Sequence, residues 1–103
     1  MAFSTDGTLR DHTYRLRLVG ELDIGSLPDA QAAAVRAFDE EWERLVVDLE
    51  QLRFMDSTGL RFVTELHTRC VSADRTLSIK PGPQAVQRVF EITGLDALLP
   101  FER

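Results

Sequence analysis

Asp56, Ser57, Thr58 and Gly59 stand in succession where a short apolar run gives way to a long amphipathic one. A carboxylate followed by two hydroxyls at such a junction can serve nucleophilic catalysis, helix capping or receipt of a modifying group. Catalysis needs a base within hydrogen-bond reach of the serine. The Gly-x-Ser-x-Gly arrangement of a nucleophile elbow is absent, since Ser57 is preceded by Met55-Asp56. His67 lies further along the same amphipathic run, roughly 15 Å up a helix axis from Ser57. Nothing in the sequence brings His12, the other histidine, towards Ser57. Enzyme activity is therefore not expected.

Metal and cofactor chemistry find no better support. His67 and Cys70 are spaced to share one face of a helix, but two ligands without a second pair do not make a zinc site. Cys70 is expected to pack as a small apolar residue, with His67 at the edge of the core. The six glycines are scattered, and no glycine-rich loop precedes a helix to cradle phosphate. The expected set of cofactors and metals is empty.

The elements around Ser57 follow from apolar patterning. Leu45-Val46-Val47-Asp48-Leu49 is short, β-branched and apolar on both parities, which predicts a strand covered on both faces. Leu60, Val63, Leu66, Cys70 and Val71 recur at helical spacing, predicting a helix from about Ser57 to Ser72. Either Asp56 or Ser57 fits the N-cap, because both offer a side-chain oxygen to the free N–H groups of a first turn. The other then lies near the positive end of the helix dipole. Thr58, Arg61, Glu65 and Thr68 form a polar stripe on the opposite side of this helix.

The remaining chain alternates. Residues 2 to 13 predict a short first strand in a hairpin, with Asp6-Gly7 and Asp11-His12-Thr13 as turn signals. Tyr14, Leu16 and Leu18 alternate with Arg15 and Arg17, a half-buried strand that ends at Gly20-Glu21-Leu22-Asp23. Ser26-Leu27-Pro28 opens a helix with Leu27, Ala30, Ala34 and Phe38 as its stripe, closing on Asp39-Glu40-Glu41. Trp42 is expected to cover an edge of the core. Residues 50 to 55 read as a connection with Leu52 and Phe54 inward. Leu77 and Ile79 predict a strand stopped by Pro81-Gly82-Pro83. Val86, Val89 and Phe90 predict a helix over 84 to 93 with Gly94 as its stop, and Leu98 to Phe101 a last edge strand. This order implies an α/β domain with a mixed or mostly parallel sheet.

Length and charge narrow the function. A chain of 103 residues suggests one domain, 1–103. A net charge of −5 argues against nucleic acid as the main partner, since phosphates require a basic patch. A single cysteine precludes an internal disulfide and favours the cytoplasm. No apolar stretch approaches the ~20 residues of a membrane span, and the N-terminus does not read as a signal peptide.

Three blocks together resemble a known family. Asp56-Ser57-Thr58-Gly59-Leu60, preceded by Val47-Asp48-Leu49 and Phe54-Met55, resembles the signature of the STAS superfamily. It is most similar to that of the bacterial anti-sigma factor antagonists. Gly20-Glu21-Leu22-Asp23 resembles a second family block. The run from Val86 to Leu95, a weaker match, resembles the last main helix and its glycine stop. The resemblance implies a small α/β fold, a mixed sheet of four to five strands with helices mainly on one side. Members of that family usually carry a further C-terminal helix; these 103 residues end just after the place where it would begin, so that helix is not expected here.

The functional implications rest on that resemblance. Family members are phosphorylated on the serine after the aspartate by an anti-sigma factor, which is a serine kinase. Ser57 holds that place here. The expected partners are such a kinase and a metal-dependent serine phosphatase, with neither nucleic acid nor membrane. Asp23, Asp56, Ser57, Thr58, Gly59 and Arg61 are the expected partner-binding residues, with Thr58 also a first-turn residue and Asp23 equally a turn residue. The same domain also serves as a non-phosphorylated accessory subunit of a transporter ATPase, or as a scaffold module in stress signalling. The intact Asp56-Ser57 pair leans towards the antagonist.

Overall fold

The computed structural model describes residues 2–102. Strands β1 (Ser4–Arg10) and β2 (Thr13–Leu22) form the expected antiparallel hairpin. The connecting Asp11 and His12 have φ of 51° and 67°. Positive φ at both turn positions gives the turn whose twist matches the flanking strands. Along β2, Tyr14, Leu16, Leu18 and Leu22 are buried, while Arg15 and Arg17 occupy the opposite, half-buried face.

Helix α1 (Leu27–Phe38) crosses back with Pro28 in its first turn, where a missing N–H costs nothing. Its buried face is Ala30, Ala33, Ala34 and Ala37, wider than the expected stripe. Trp42 is buried rather than at an edge. Its Nε1–H donates to the Ala37 carbonyl at 2.8 Å, and the Arg75 guanidinium lies 4.2 Å from its ring centre.

Strand β3 (Arg44–Asp48) runs parallel to the first half of β2. The next segment departs from expectation. Residues 52 to 55 form a strand, β4 (Leu52–Met55), parallel to the end of β2. The pairing shifts register between Gly20 and Glu21. The shift breaks simple alternation, so Leu52 and Met55 are buried and Phe54, expected inward, is exposed. Gly20 is required at this irregularity: its φ is +99°, and a Cβ would stand 2.2 Å from the Ala2 carbonyl oxygen.

Helix α2 (Ser57–Ser72) follows at once, then strand β5 (Thr76–Lys80) parallel to β3, and helix α3 (Gln84–Thr93). Gly94, at φ 77°, ends α3 in the left-handed region as expected. The expected strand at 98 to 101 is instead a 3-10 turn at Leu95–Ala97 and a single bridge between Ile79 and Phe101. The sheet order is β1-β2-β3-β5, with β4 on β2, a mixed five-stranded sheet.

Tyr14, Leu16, Leu18, Leu45, Val47, Leu77 and Ile79 pack from the sheet against the apolar faces of the helices. On the opposite face Arg15, Arg17, Val46, Ser78 and Lys80 are only half-buried. Asp48 is the exception there, at 1% exposure. Arg15 Nε donates to its carboxylate at 3.1 Å, and the Glu50 backbone N–H donates to it at 2.9 Å. Burial alone would push this carboxyl up, but the Arg15 bonds and the Glu50 N–H outweigh it and hold it below its ordinary value.

Candidate functional site

The site is assembled where two parallel strands end together. Leu22 pairs with Met55, and the Asp56 backbone N–H donates to the Leu22 carbonyl at 3.3 Å. The chain then leaves β2 through Asp23 and β4 through Asp56. The two aspartates thus stand at the ends of neighbouring strands, whose backbones are spaced about 4.8 Å apart. Crevices at the carboxyl ends of strands are where α/β sheets present their ligands.

Asp56 is the N-cap of α2, which resolves the alternative left open by the sequence. Its backbone is extended, with φ −105° and ψ −167°. One side-chain oxygen accepts from the Thr58 N–H at 2.9 Å and the Gly59 N–H at 3.3 Å. Ser57 is therefore the first residue of the helix, and it is exposed. Its hydroxyl is free of capping duty and sits at the positive end of the α2 dipole. Thr58 is half-buried in the same turn.

Gly59 is buried beneath this surface. A Cβ there would meet Met55 Cγ at 2.4 Å and Leu22 Cγ at 2.9 Å. Glycine lets the first turn of α2 lie directly on the ends of β2 and β4. Gly59 thus sets the height of Ser57 above the sheet. Arg61, Glu65 and Thr68 are exposed along α2, as the polar stripe predicts.

Asp23 holds the neighbouring loop. Its side chain accepts from the Ser26 N–H at 3.1 Å, and its own N–H donates to Ser26 Oγ at 3.0 Å. Ser26 Oγ in turn donates to the Glu21 carbonyl at 2.7 Å. The Asp23 carbonyl accepts from Leu27 N–H at 2.9 Å, starting α1. Asp23 is a turn residue by these bonds, and its half-buried carboxylate lines a shallow depression with Glu21 and Asp29. The sequence reading missed Glu21 and Asp29, whose nearness to Asp23 depends on the tight Asp23–Ser26 turn. It also missed the exposed Phe54 and Ile24 beside the site.

The other reactive side chains lie elsewhere. Cys70 is buried on α2, and burial pushes its thiol up. His67 is half-buried near it. Among the described residues no three His, Cys, Asp or Glu side chains gather as a metal site.

Comparison with known proteins bears on this arrangement. The family model described as "Mlab, STAS domain" matches residues 7–100. The anti-sigma-B factor antagonist of Staphylococcus aureus is 29% identical over 99 residues, covering 96% of this chain and 92% of that protein. A crystal structure of an anti-sigma factor antagonist from Mycobacterium paratuberculosis superposes with a TM-score of 0.88 at 22% identity, covering 97% of this chain and 85% of that one. The anti-sigma factor antagonist SpoIIAA in its unphosphorylated form gives 0.77 at 24% identity, covering 99% and 89%. SpoIIAA of Bacillus in the phosphorylated form gives 0.70 at 23% identity, covering 99% and 92%.

Proposed function

The chain belongs to the STAS domain family, and from that premise we propose that it is an anti-sigma factor antagonist switched by phosphorylation of Ser57. Unphosphorylated, it binds an anti-sigma factor serine kinase and so frees a sigma factor. The kinase transfers the γ-phosphoryl group of ATP to the Ser57 hydroxyl and then lets go. A metal-dependent serine phosphatase restores the hydroxyl. ATP and Mg²⁺ belong to the kinase, and the exchange takes place in the cytoplasm. The domain spans 1–103, and its docking surface is Asp23, Asp56, Ser57, Thr58 and Arg61, raised on Gly59.

The observation that carries this reading is the exposed Ser57 at the first position of α2, beside a cap whose carboxylate already satisfies Thr58 and Gly59. A phosphate adds about −1.5 to −2 charge at neutral pH. A helix N-terminus accommodates that charge through its dipole, so this domain's fold changes little. The partner feels the difference. Two unit charges about 6 Å apart at an effective dielectric near 20 repel by about 3 kcal/mol. Solvent screening leaves part of that at an exposed site, and every ~1.4 kcal/mol is tenfold in affinity. Desolvating a dianion beside Asp56 adds to the penalty.

The test is intact-mass analysis after incubation with ATP, Mg²⁺ and each anti-sigma kinase of the source genome, beside Ser57→Ala. One added phosphate in the native protein and none in the variant is the expected result. Stable binding without modification makes the domain a constitutive antagonist. Absence of both overturns the proposal and points to the accessory subunit of a transporter ATPase.

A further inference from the structure

Exposed large apolar side chains are unevenly placed. Leu9, Val35, Val71, Ile92 and Leu98 are spread over a strand end, helix flanks and the C-terminal turn. Ile24 and Phe54 differ, because both belong to the segments that frame Ser57. Phe54, 47% exposed, pairs with Glu21 one step before the Leu22–Met55 pair. Ile24, 77% exposed, follows Leu22 at the same remove as Ser57 follows Met55. The register shift at Gly20 and Glu21 is what turns Phe54 outward, and the Asp23–Ser26 turn is what lifts Ile24. Both irregularities thus present an apolar residue to solvent at the strand ends that lead into the Asp23 turn and into Ser57.

We propose that Ile24 and Phe54 are the apolar anchors of the partner contact, seated in a recess of the anti-sigma kinase that is bordered by basic side chains. The basic border follows from charge complementarity. Glu21 pairs with Phe54, Asp23 directly precedes Ile24, Asp56 follows Phe54 by two positions, and Asp29 shares a depression with Glu21 and Asp23, so four carboxylates outnumber the two cations of these segments, Arg53 and Arg61. A neutral apolar recess alone would leave these carboxylates without counter-charge. Interfaces draw most of their affinity from a few well-buried anchors inside a polar rim. The arrangement also sharpens the switch. Anchors bind only when water leaves the interface, and a dianion on Ser57, three positions after Phe54, retains it.

This inference rests on the antagonist reading above, and one titration series separates the two. Affinity for the anti-sigma kinase is measured by calorimetry for the native protein, Ile24→Ser, Phe54→Ser and Val71→Ser. Val71 is 64% exposed near the far end of α2, about 21 Å from Ser57 along the axis. Losing one buried aliphatic or aromatic anchor weakens binding about tenfold to a hundredfold. Ile24→Ser and Phe54→Ser are expected to fall in that range and Val71→Ser to match the native protein. The ratio between native and Ile24→Ser is expected to hold from low to high salt, because apolar burial is not screened, while all affinities drop as the charged rim is screened. Ile24 buries little in the free protein, so its variant keeps the native unfolding midpoint even where Phe54→Ser loses some stability. Native affinity in the Ile24 variant overturns the anchor proposal and leaves the antagonist reading standing. A native protein that binds no kinase overturns both.

Discussion

Replacing Asp56 by alanine removes the acceptor for the Thr58 and Gly59 N–H groups, bonded at 2.9 and 3.3 Å. Both donors lie in the first turn of α2, and Gly59 is buried. Water can reach Thr58 more readily than Gly59, so the loss is only partly repaired by solvent. Loss of an N-cap acceptor costs about 1 kcal/mol and at most about 2. At ~4–8 °C per kcal/mol for a domain of this size, the unfolding midpoint is expected to fall by about 4–16 °C. Asparagine at the same position keeps the acceptor and loses only the charge near the helix dipole, about 0.3–1 kcal/mol. Thermal and urea unfolding of Asp56→Ala, Asp56→Asn and the native protein therefore give a graded order, with asparagine between. An alanine variant as stable as the native protein refutes the capping account. Equal losses for alanine and asparagine refute the claim that the acceptor matters more than the charge.

Gly59→Ala sets helix propensity against packing. Alanine gains about 1 kcal/mol in a helix interior. Its Cβ must displace Met55 and Leu22, which are 2% and 0% exposed and have no room to swing away. Overpacking costs about 1–3 kcal/mol, so a net loss of about 1 kcal/mol is expected in urea titration, and a gain contradicts the close approach. Asp48→Asn probes the buried ion pair on the open sheet face. The folded-state pKa of Asp48 lies below its unfolded value, so its contribution is present above about pH 4 and disappears as pH falls through the folded value. The stability gap between native and variant is expected to be constant from pH 5 to 8 and to shrink in acid. A gap that widens in acid contradicts the assignment.

The helix at the site is legible because cap chemistry and apolar period agree: Asp56 marks its start, and the stripe carries it to Ser72. The β2 alternation is legible for the same reason. Phe54 is not, because its outward turn depends on a register shift against Gly20 and Glu21, which lie in another segment. Alanine carries a weak apolar signal, so Ala33 and Ala37 escape the single row of Leu27, Ala30, Ala34 and Phe38 although they share the buried face of α1. Val71, one position beyond the buried Cys70, falls off the α2 stripe onto the surface. The Arg15–Asp48 pair joins residues far apart in sequence, and no local pattern announces it. The site residues themselves were found through family resemblance. Residue chemistry alone reads Asp56-Ser57 as a capped helix start, which it also is.

The most direct test of the partner switch is the dissociation constant of the anti-sigma kinase for two forms of this protein, unmodified and fully phosphorylated on Ser57. The account predicts an affinity at least tenfold weaker for the phosphorylated form, with an unchanged circular dichroism spectrum for the isolated domain. Equal affinity of the two forms contradicts it.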